Sequence, residues 1–389
     1  MCYCIYSAHM FTNSIPTAPE RSTMNASKTS QKTSPVLRLA ALLATPLIPD
    51  DYIELVNPLW THKALRARVE AVTAETADSA SITLQPGLRW QSFRAGQFVR
   101  VGVDIEGVRH WRCYSISSAP ERADGRISIT VKAVDGGRVS THLVRNLKVG
   151  SLLELAAADG EFVWPANNGD ATLLITAGSG ITPVMSQLRS ADARNAMPTA
   201  TLLHYAPTPD DVIFRDELLE LAARHPQLTV HFIYTRHGDA AVRGHFSAEQ
   251  LATLCPDWQS RRTYSCGPAA LLEAVEANWS AANCTDSVTV ERFRPALAPA
   301  ASNTIGGTLN FLSSATRADS SGNVSILETA EQAGLAPVHG CRMGICHGCT
   351  AKLVCGQVRD LRSGQVHGEP DDLIQICVCA PVGDVQIDL

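Results

Sequence analysis

The stretch Gly340-Cys341-Arg342-Met343-Gly344-Ile345-Cys346-His347-Gly348-Cys349 constrains this chain more than any other. It spaces three thiols as C-x4-C-x2-C, and two more, Cys377 and Cys379, follow. Four thiolates so arranged hold the two irons of a 2Fe–2S cluster. Gly340, Gly344 and Gly348 suit a tightly wrapped loop that aims backbone N–H groups at the cluster sulfurs. A structural zinc site favours paired C-x2-C knuckles, and one such pair is present. A disulfide framework belongs to small secreted chains, which this one does not resemble. The spacing therefore predicts an iron–sulfur loop, and the rest of the chain must supply its electrons.

At 389 residues the chain is too long for a single core. A net charge of −5 gives no ground for nucleic-acid binding. Twelve cysteines, four assigned to a cluster, imply a reducing compartment. No uninterrupted apolar run approaches the roughly 18–20 residues that span a bilayer. These features point to a cytoplasmic protein without a membrane span, with peripheral contact at the inner membrane face left open.

Residues 1–33 are rich in Ser, Thr, Asn and Pro and are expected to be disordered, with Met24 a plausible alternative start. The apolar run 36–44 reads as a short packed or peripheral helix, and 46–60, with three prolines, as a connector. From 65 to 134 short β-rich runs (66–72, 81–84, 98–103, 108–116, 127–134) are separated by Pro-Gly and Asp-Gly turns. Such evenly spaced strands predict a closed antiparallel barrel, completed by Val163-Trp164-Pro165. From 170 the rhythm changes. Strands at 172–176, 201–205, 229–234, 262–265 and 287–292 alternate with helices at 184–191, 215–224, 248–254 and 269–278. That alternation predicts a doubly wound parallel sheet with its ligand at the carboxyl ends of the strands.

Four motifs carry chemistry on this frame. Arg112-Cys113-Tyr114-Ser115 lies on an expected strand, where period two puts Arg112 and Tyr114 on one face. A ring beside a guanidinium is a platform for a stacked isoalloxazine and a phosphate. Gly136-Gly137-Arg138-Val139-Ser140-Thr141 opens a helix whose N–H groups and dipole form an anion site. Ala177-Gly178-Ser179-Gly180-Ile181-Thr182-Pro183 leads from a strand into a helix, with Thr182 expected as N-cap and Pro183 at the first helical position. It departs from G-x-G-x-x-G by ending in proline. Thr235-Arg236 follows the third strand of the sheet, where a hydroxyl and a guanidinium suit the 2′-phosphate of NADPH better than the ribose hydroxyls of NADH. A solvated turn arginine is the plain alternative.

Taken together, these motifs resemble the ferredoxin–NADP reductase superfamily. The resemblance implies FAD rather than FMN. It places Arg112 on the flavin phosphate, Tyr114 on the ring, Ser115 near N5 and Ser140 on the pyrophosphate, and adds Lys132, Gly137 and Thr141 to the cofactor-binding set. It assigns Gly178, Gly180, Thr182 and Pro183 to the nucleotide loop, and sets Cys266, followed by Gly267-Pro268, near the nicotinamide. Tyr114, Ser115 and Cys266 are thus the implied catalytic residues. Glu291-Arg292-Phe293 falls where relatives set an aromatic or acidic group against the flavin.

Ser325 to Ala330 and Ile376-Cys377-Val378-Cys379-Ala380-Pro381 are similar to a plant-type ferredoxin module, a β-grasp α+β fold. In that family the fourth ligand stands four residues before a proline. The implied metal ligands are then Cys341, Cys346, Cys349 and Cys377. Cys379 stays an alternative, since two residues apart on an expected strand both thiols would share a face. Ser325 and Glu328 predict a capping box, and Gly334 a helix end.

The expected domains are an extension (1–50), an FAD-binding β-barrel (51–166), an NAD(P)-binding domain (167–293), a linker (294–305) and a 2Fe–2S ferredoxin domain (306–389). The last carries five Lys/Arg against nine Asp/Glu, a face that would steer a basic partner or simply aid solubility. The implied activity is transfer of electrons from NADPH, through FAD and the cluster, to an oxygen-activating partner enzyme. Asn57-Pro58-Leu59-Trp60 and Gly107 to Arg112 are similar to reductases serving membrane fatty-acid desaturases. Reductase components of aromatic-ring dioxygenases or cytochromes P450 are the enzymatic alternative, and a redox-sensing partner-binding protein is the alternative from another class.

Overall fold

A computed structural model describes residues 49–165, 170–236, 243–293, 305–340, 342–344 and 347–389. The expectations for 1–33 and 36–44, and the expected cluster ligands Cys341 and Cys346, lie outside these residues. The chain divides at Pro49/Asp50 into two units, and the second, Asp50–Leu389, holds all three domains.

Within the segment expected as a connector lies a helix, α1 (Pro49–Val56). Proline at a helix's first position is tolerated because the missing N–H has no intrahelical partner there. A hydrogen bond between the His62 ring and Asp50, with the ion pairs Asp51–Lys63 and Glu54–Arg66, folds the helix back onto the chain that leads into the first strand.

The first sheet comprises β1 (Arg66–Thr76), β2 (Ser79–Pro86), β3 (Phe98–Ile105), β4 (Val108–Ser115), β5 (Ile127–Lys132) and, after α2 (Arg138–Arg145), β6 (Leu152–Leu155). Its order is β4-β3-β6-β1-β2-β5, all antiparallel, and the bridge Ile116↔Ile129 joins its two ends. Alternate residues, among them Val69, Ile82, Leu84, Val99, Val101 and Ile129, fill the barrel. The strand that completes it is β6, not Val163-Trp164-Pro165. Those three residues belong to no strand. Trp164 packs instead with Phe162 against the neighbouring domain, where both rings meet Tyr264. Pro165, with no N–H to donate, suits a crossing between domains better than a ladder.

The second sheet contains β7 (Thr172–Ala177), β8 (Ala200–Ala206), β9 (Leu228–Tyr234), β10 (Arg262–Cys266) and β11 (Val288–Glu291), wholly parallel in the order β11-β10-β7-β8-β9. α3 (Ile181–Ala193), α4 (Arg215–Arg224), α5 (Ala248–Leu254) and α6 (Ala269–Ala281) connect its strands. One core holds Val184, Leu188, Leu218 and Leu221; a second holds Leu251, Val275 and Trp279. Helices therefore cover both faces, as a continuously apolar parallel sheet requires. The strand order reverses between β7 and β10, which places the ligand crevice there.

The third domain is α+β. β12 (Gly307–Phe311) and β13 (Thr316–Ser320) form a hairpin, α7 (Ile326–Gln332) follows, and then come β14 (Thr350–Asp360), β15 (Val366–His367), β16 (Leu373–Gln375) and β17 (Cys379–Asp388). β12 runs parallel to β17, whereas β14 pairs antiparallel with β15, β16 and β17. Ser325 Oγ accepts the Glu328 N–H at 3.2 Å. Gly334, at φ +83°, ends the helix with Leu335 N–H returning to Ala330 O. Ile326, Leu327 and Ala330 pack on Leu309, Phe311 and Ile387. No helix among the described residues is long and apolar enough to cross a membrane.

Candidate functional site

The barrel brings Arg112, Tyr114 and Ser115 together at the end of β4. Tyr114 packs its ring against the barrel core, and burial raises the pKa of its hydroxyl well above the ordinary value. Arg112 is half-buried; desolvation, with Arg342 nearby, pulls its pKa down, though a guanidinium stays charged. Ser115 is 5% exposed, and its Oγ has no hydrogen-bond partner among the described residues. A buried hydroxyl left unpaired costs about 1–3 kcal/mol, and this one, beside Arg112 and Tyr114, is available to a ligand atom.

Gly136, at φ +71°, turns the chain into α2, whose N-cap Gly137 supplies no side-chain cap. A Cβ at Gly137 would lie 2.9 Å from the Val134 carbonyl oxygen and 2.6 Å from Ser140 Oγ, closer than Cβ atoms normally approach. Ser140 Oγ accepts from the Val134 N–H at 3.2 Å and lies 3.3 Å from Gly137 O. Thr141 is half-buried one turn into the helix. Lys132 is engaged by Asp78, with Nζ to Oδ1 at 2.8 Å. The orphan hydroxyl, the arginine and the uncapped helix start fit a flavin nucleotide.

At the sheet's switch point the ends of β7 and β10 touch. Gly178, at φ +52°, starts a 3₁₀ turn (Gly178–Gly180) that runs directly into α3. A Cβ at Gly180 would collide with the Cys266 carbonyl, and one at Gly267 would lie 3.2 Å from the Ala177 nitrogen. Thr182 does not cap the helix. It lies inside α3, its Oγ1 donating to Ser179 O at 2.9 Å, and Pro183 is the third helical residue. The glycine turn starts the helix two residues earlier than the Thr-Pro pair suggests. Pro268 is the N-cap of α6.

Cys266 is fully buried, and burial, then Glu291, push its thiol pKa up. Its Sγ lies 4.0 Å from Glu291 Oε2. Burial raises the Glu291 carboxyl to about 8, so it carries a proton at neutral pH. Thr235 and Arg236 follow β9, held by backbone bonds to Ala206 O and Pro207 O. Arg236 is exposed at the carboxyl end of the sheet.

In the third domain Cys349 Sγ and Cys377 Sγ lie 3.1 Å apart, close enough for one metal centre to reach both. The two candidate thiols do not share a strand. Cys377 occupies the turn 376–378, with Val378 N–H bonded to Gln375 O, and Cys379 begins β17. A turn breaks the two-residue alternation on which a shared face depends. Arg362, which carries no motif, donates to Gly344 O at 3.0 Å and pairs with Asp360 at 2.6 Å, tying the cluster loop to β14. Its nearest sequence signal is the Arg359-Asp360-Leu361-Arg362 charge pattern, which any solvated turn would also carry.

Comparison with known proteins adds to this geometry. Residues 67–164 match the oxidoreductase FAD-binding domain, 174–277 the oxidoreductase NAD-binding domain, and 312–382 the 2Fe-2S iron-sulfur cluster binding domain. A Mycobacterium tuberculosis protein named NADPH oxidoreductase is 40% identical over 355 residues, spanning 90% of this chain and 91% of its own. The glycine betaine monooxygenase reductase subunit of Pseudomonas aeruginosa is 31% identical over 363 residues, covering 86% of this chain and 98% of itself. Among solved structures, phthalate dioxygenase reductase superposes with a TM-score of 0.60 at 23% identity, over 84% of this chain and 98% of that one. At that identity the likeness speaks to the three-domain fold.

Proposed function

Because this chain belongs to the ferredoxin–NADP reductase superfamily, as an NAD(P)H oxidoreductase with FAD-binding, nucleotide-binding and 2Fe–2S ferredoxin domains, we propose that it draws electrons from NADPH and delivers them singly to an oxygen-activating partner enzyme. FAD supplies two-electron uptake with one-electron release, and the cluster carries one electron at a time. The residues do the rest. Arg112 and the start of α2 hold phosphate, Tyr114 covers the ring, and Ser115 Oγ donates its unshared hydrogen bond. The meeting of Gly180 with the Cys266 carbonyl fixes the crevice in which the nicotinamide would lie. Glu291, its carboxyl pushed up to about 8, would stand uncharged beside Cys266 at neutral pH. Cys341, Cys346, Cys349 and Cys377 would hold the cluster. The domain boundaries expected from sequence frame these roles.

The observation that carries this reading is the unpartnered, buried Ser115 Oγ next to Arg112 and Tyr114, on a chain whose third domain carries the thiol loop. NADPH is proposed on Thr235-Arg236, and the name of the mycobacterial relative supports it. Arg236→Ala is expected to weaken NADPH about tenfold to a hundredfold, the loss of one charge-assisted phosphate contact, while NADH changes little. Equal loss for both nucleotides, measured by titration, removes Arg236 from the 2′-phosphate site.

For the acceptor we propose a membrane fatty-acid desaturase, on the Asn57–Trp60 and Gly107–Arg112 phrases. The names of several relatives supply the competing class, oxygenase components such as a glycine betaine monooxygenase. Purified holoprotein mixed with NADPH and desaturase-containing membranes is expected to introduce a double bond at a rate that depends on both components. Electron delivery to a soluble oxygenase with none to the membranes would discard the desaturase. Failure to reduce even cytochrome c would discard the reductase.

A further inference from the structure

The flavin barrel and the nucleotide domain are joined by a seam of bonds along α3. Ser186 Oγ donates to Ser118 O, Arg189 Nη1 to Ser117 O and Gln187 Nε2 to Phe162 O, each at 2.7 Å, and Ser190 Oγ donates to Glu121 Oε1 at 2.8 Å. The ferredoxin domain meets the barrel differently. His339 stands two residues before Cys341, on the approach to the thiol loop. Its Nδ1–H donates to Pro337 O at 2.9 Å, which leaves Nε2 as the acceptor of the ring. Two guanidiniums converge on that nitrogen, Arg112 Nη1 from the flavin barrel at 3.2 Å and Arg342 Nη2 from the cluster loop at 3.1 Å. A neutral acceptor between them, and Glu331 paired to Arg342, let the two positive groups approach.

We propose that His339 is the positioning residue that seats the cluster-bearing loop on the flavin barrel, its Nε2 accepting from Arg112 across the domain junction. This rests on the reading of Arg112 as a flavin-phosphate residue and deepens it. Arg112 Nη1 serves Trp111 O at 2.8 Å as well as His339, while Nε–H and the Nη2 hydrogens take part in neither bond and can face a phosphate. One arginine then anchors the flavin with one side of its fork and the ferredoxin domain with the other. The bond sets the strand that carries Tyr114 and Ser115 against the residue that stands two positions before Cys341 in sequence.

His339→Ala and His339→Gln, made in the full-length holoprotein, test this. The glutamine carbonyl oxygen can replace Nε2 as an acceptor; alanine cannot. In the alanine variant, flavin content, iron content and the rate of flavin bleaching by NADPH should match wild type. Reduction of the cluster after that bleaching should slow about tenfold or more, the loss expected for one charge-assisted hydrogen bond. Amide hydrogen exchange, which needs no turnover, should quicken in 108–115 as well as in 335–340, because the barrel side loses its cover. Glutamine should restore both rates to within about twofold of wild type. Unchanged exchange in 108–115 overturns the docking role, even if iron is lost, for His339 would then be a local prop of its own loop. If NADPH bleaches no flavin in wild type, the proposed function fails instead, and the exchange comparison still decides the docking.

Discussion

Cys377→Ser is expected to abolish or strongly alter the 2Fe–2S signal, whereas Cys379→Ser leaves it intact. Cys377 Sγ stands 3.1 Å from Cys349 Sγ, in a turn that presents the side chain to the thiol loop. Cys379 is buried as the first residue of β17, opposite Asp360. Losing one thiolate of four would leave the cluster with three protein ligands, and serine oxygen is a harder, poorer substitute for sulfur. Iron per chain should fall towards zero, or the EPR and absorption spectra should shift. NADPH should still bleach the flavin, since the crevice at Gly178–Gly180 and Cys266 belongs to another domain, while one-electron delivery to cytochrome c should collapse. A normal cluster in the Cys377 variant with a lost one in the Cys379 variant would reverse the assignment.

Glu291→Gln should remove a pH dependence of stability that the wild type carries. The Glu291 carboxyl is raised from 4.5 to about 8 by burial, so the folded protein binds a proton that the unfolded chain releases. The stabilisation this proton brings is complete below about pH 4.5. It is lost progressively as pH rises, at about 1.4 kcal/mol per unit, and is gone above about pH 8. Glutamine keeps the neutral shape and cannot titrate. Denaturant unfolding of both proteins at pH 5.5 and 7.5 should therefore show wild type losing stability, relative to the variant, by about 2–3 kcal/mol across that interval. Parallel pH curves would mean that the carboxyl is ionised in the fold.

What is legible in the sequence is what is local in it. The thiol spacing, the Arg112–Ser115 alternation and the two glycine turns each lie within ten residues, so period and turn chemistry reach them. The α4 and α5 spans are legible for the same reason. Contacts that close over long separations are hidden. His339 and Arg112 are 227 positions apart, and no pattern in either stretch names the other. Arg189 and Ser190 look like an ordinary helix surface until Ser117 and Glu121 fold against them. Trp164 misleads because an aromatic-rich run followed by proline resembles an edge strand, whereas its partner, Tyr264, arrives a hundred residues later. Cys377 and Cys379 look like strand neighbours because a turn of three apolar and thiol residues carries no glycine or proline to mark it.

The meeting of Gly180 with the Cys266 carbonyl bears on how such a protein can change over evolutionary time. At the floor of the crevice even one methyl group is excluded, so that position admits a single amino acid out of twenty. Drift there is lethal to the loop rather than adjustable. At the carboxyl end of β9, by contrast, Arg236 is exposed. If Arg236 meets the 2′-phosphate as proposed, exchange of one pyridine nucleotide for the other would ask for substitution at that exposed position, while the chemistry at the floor stayed as it was.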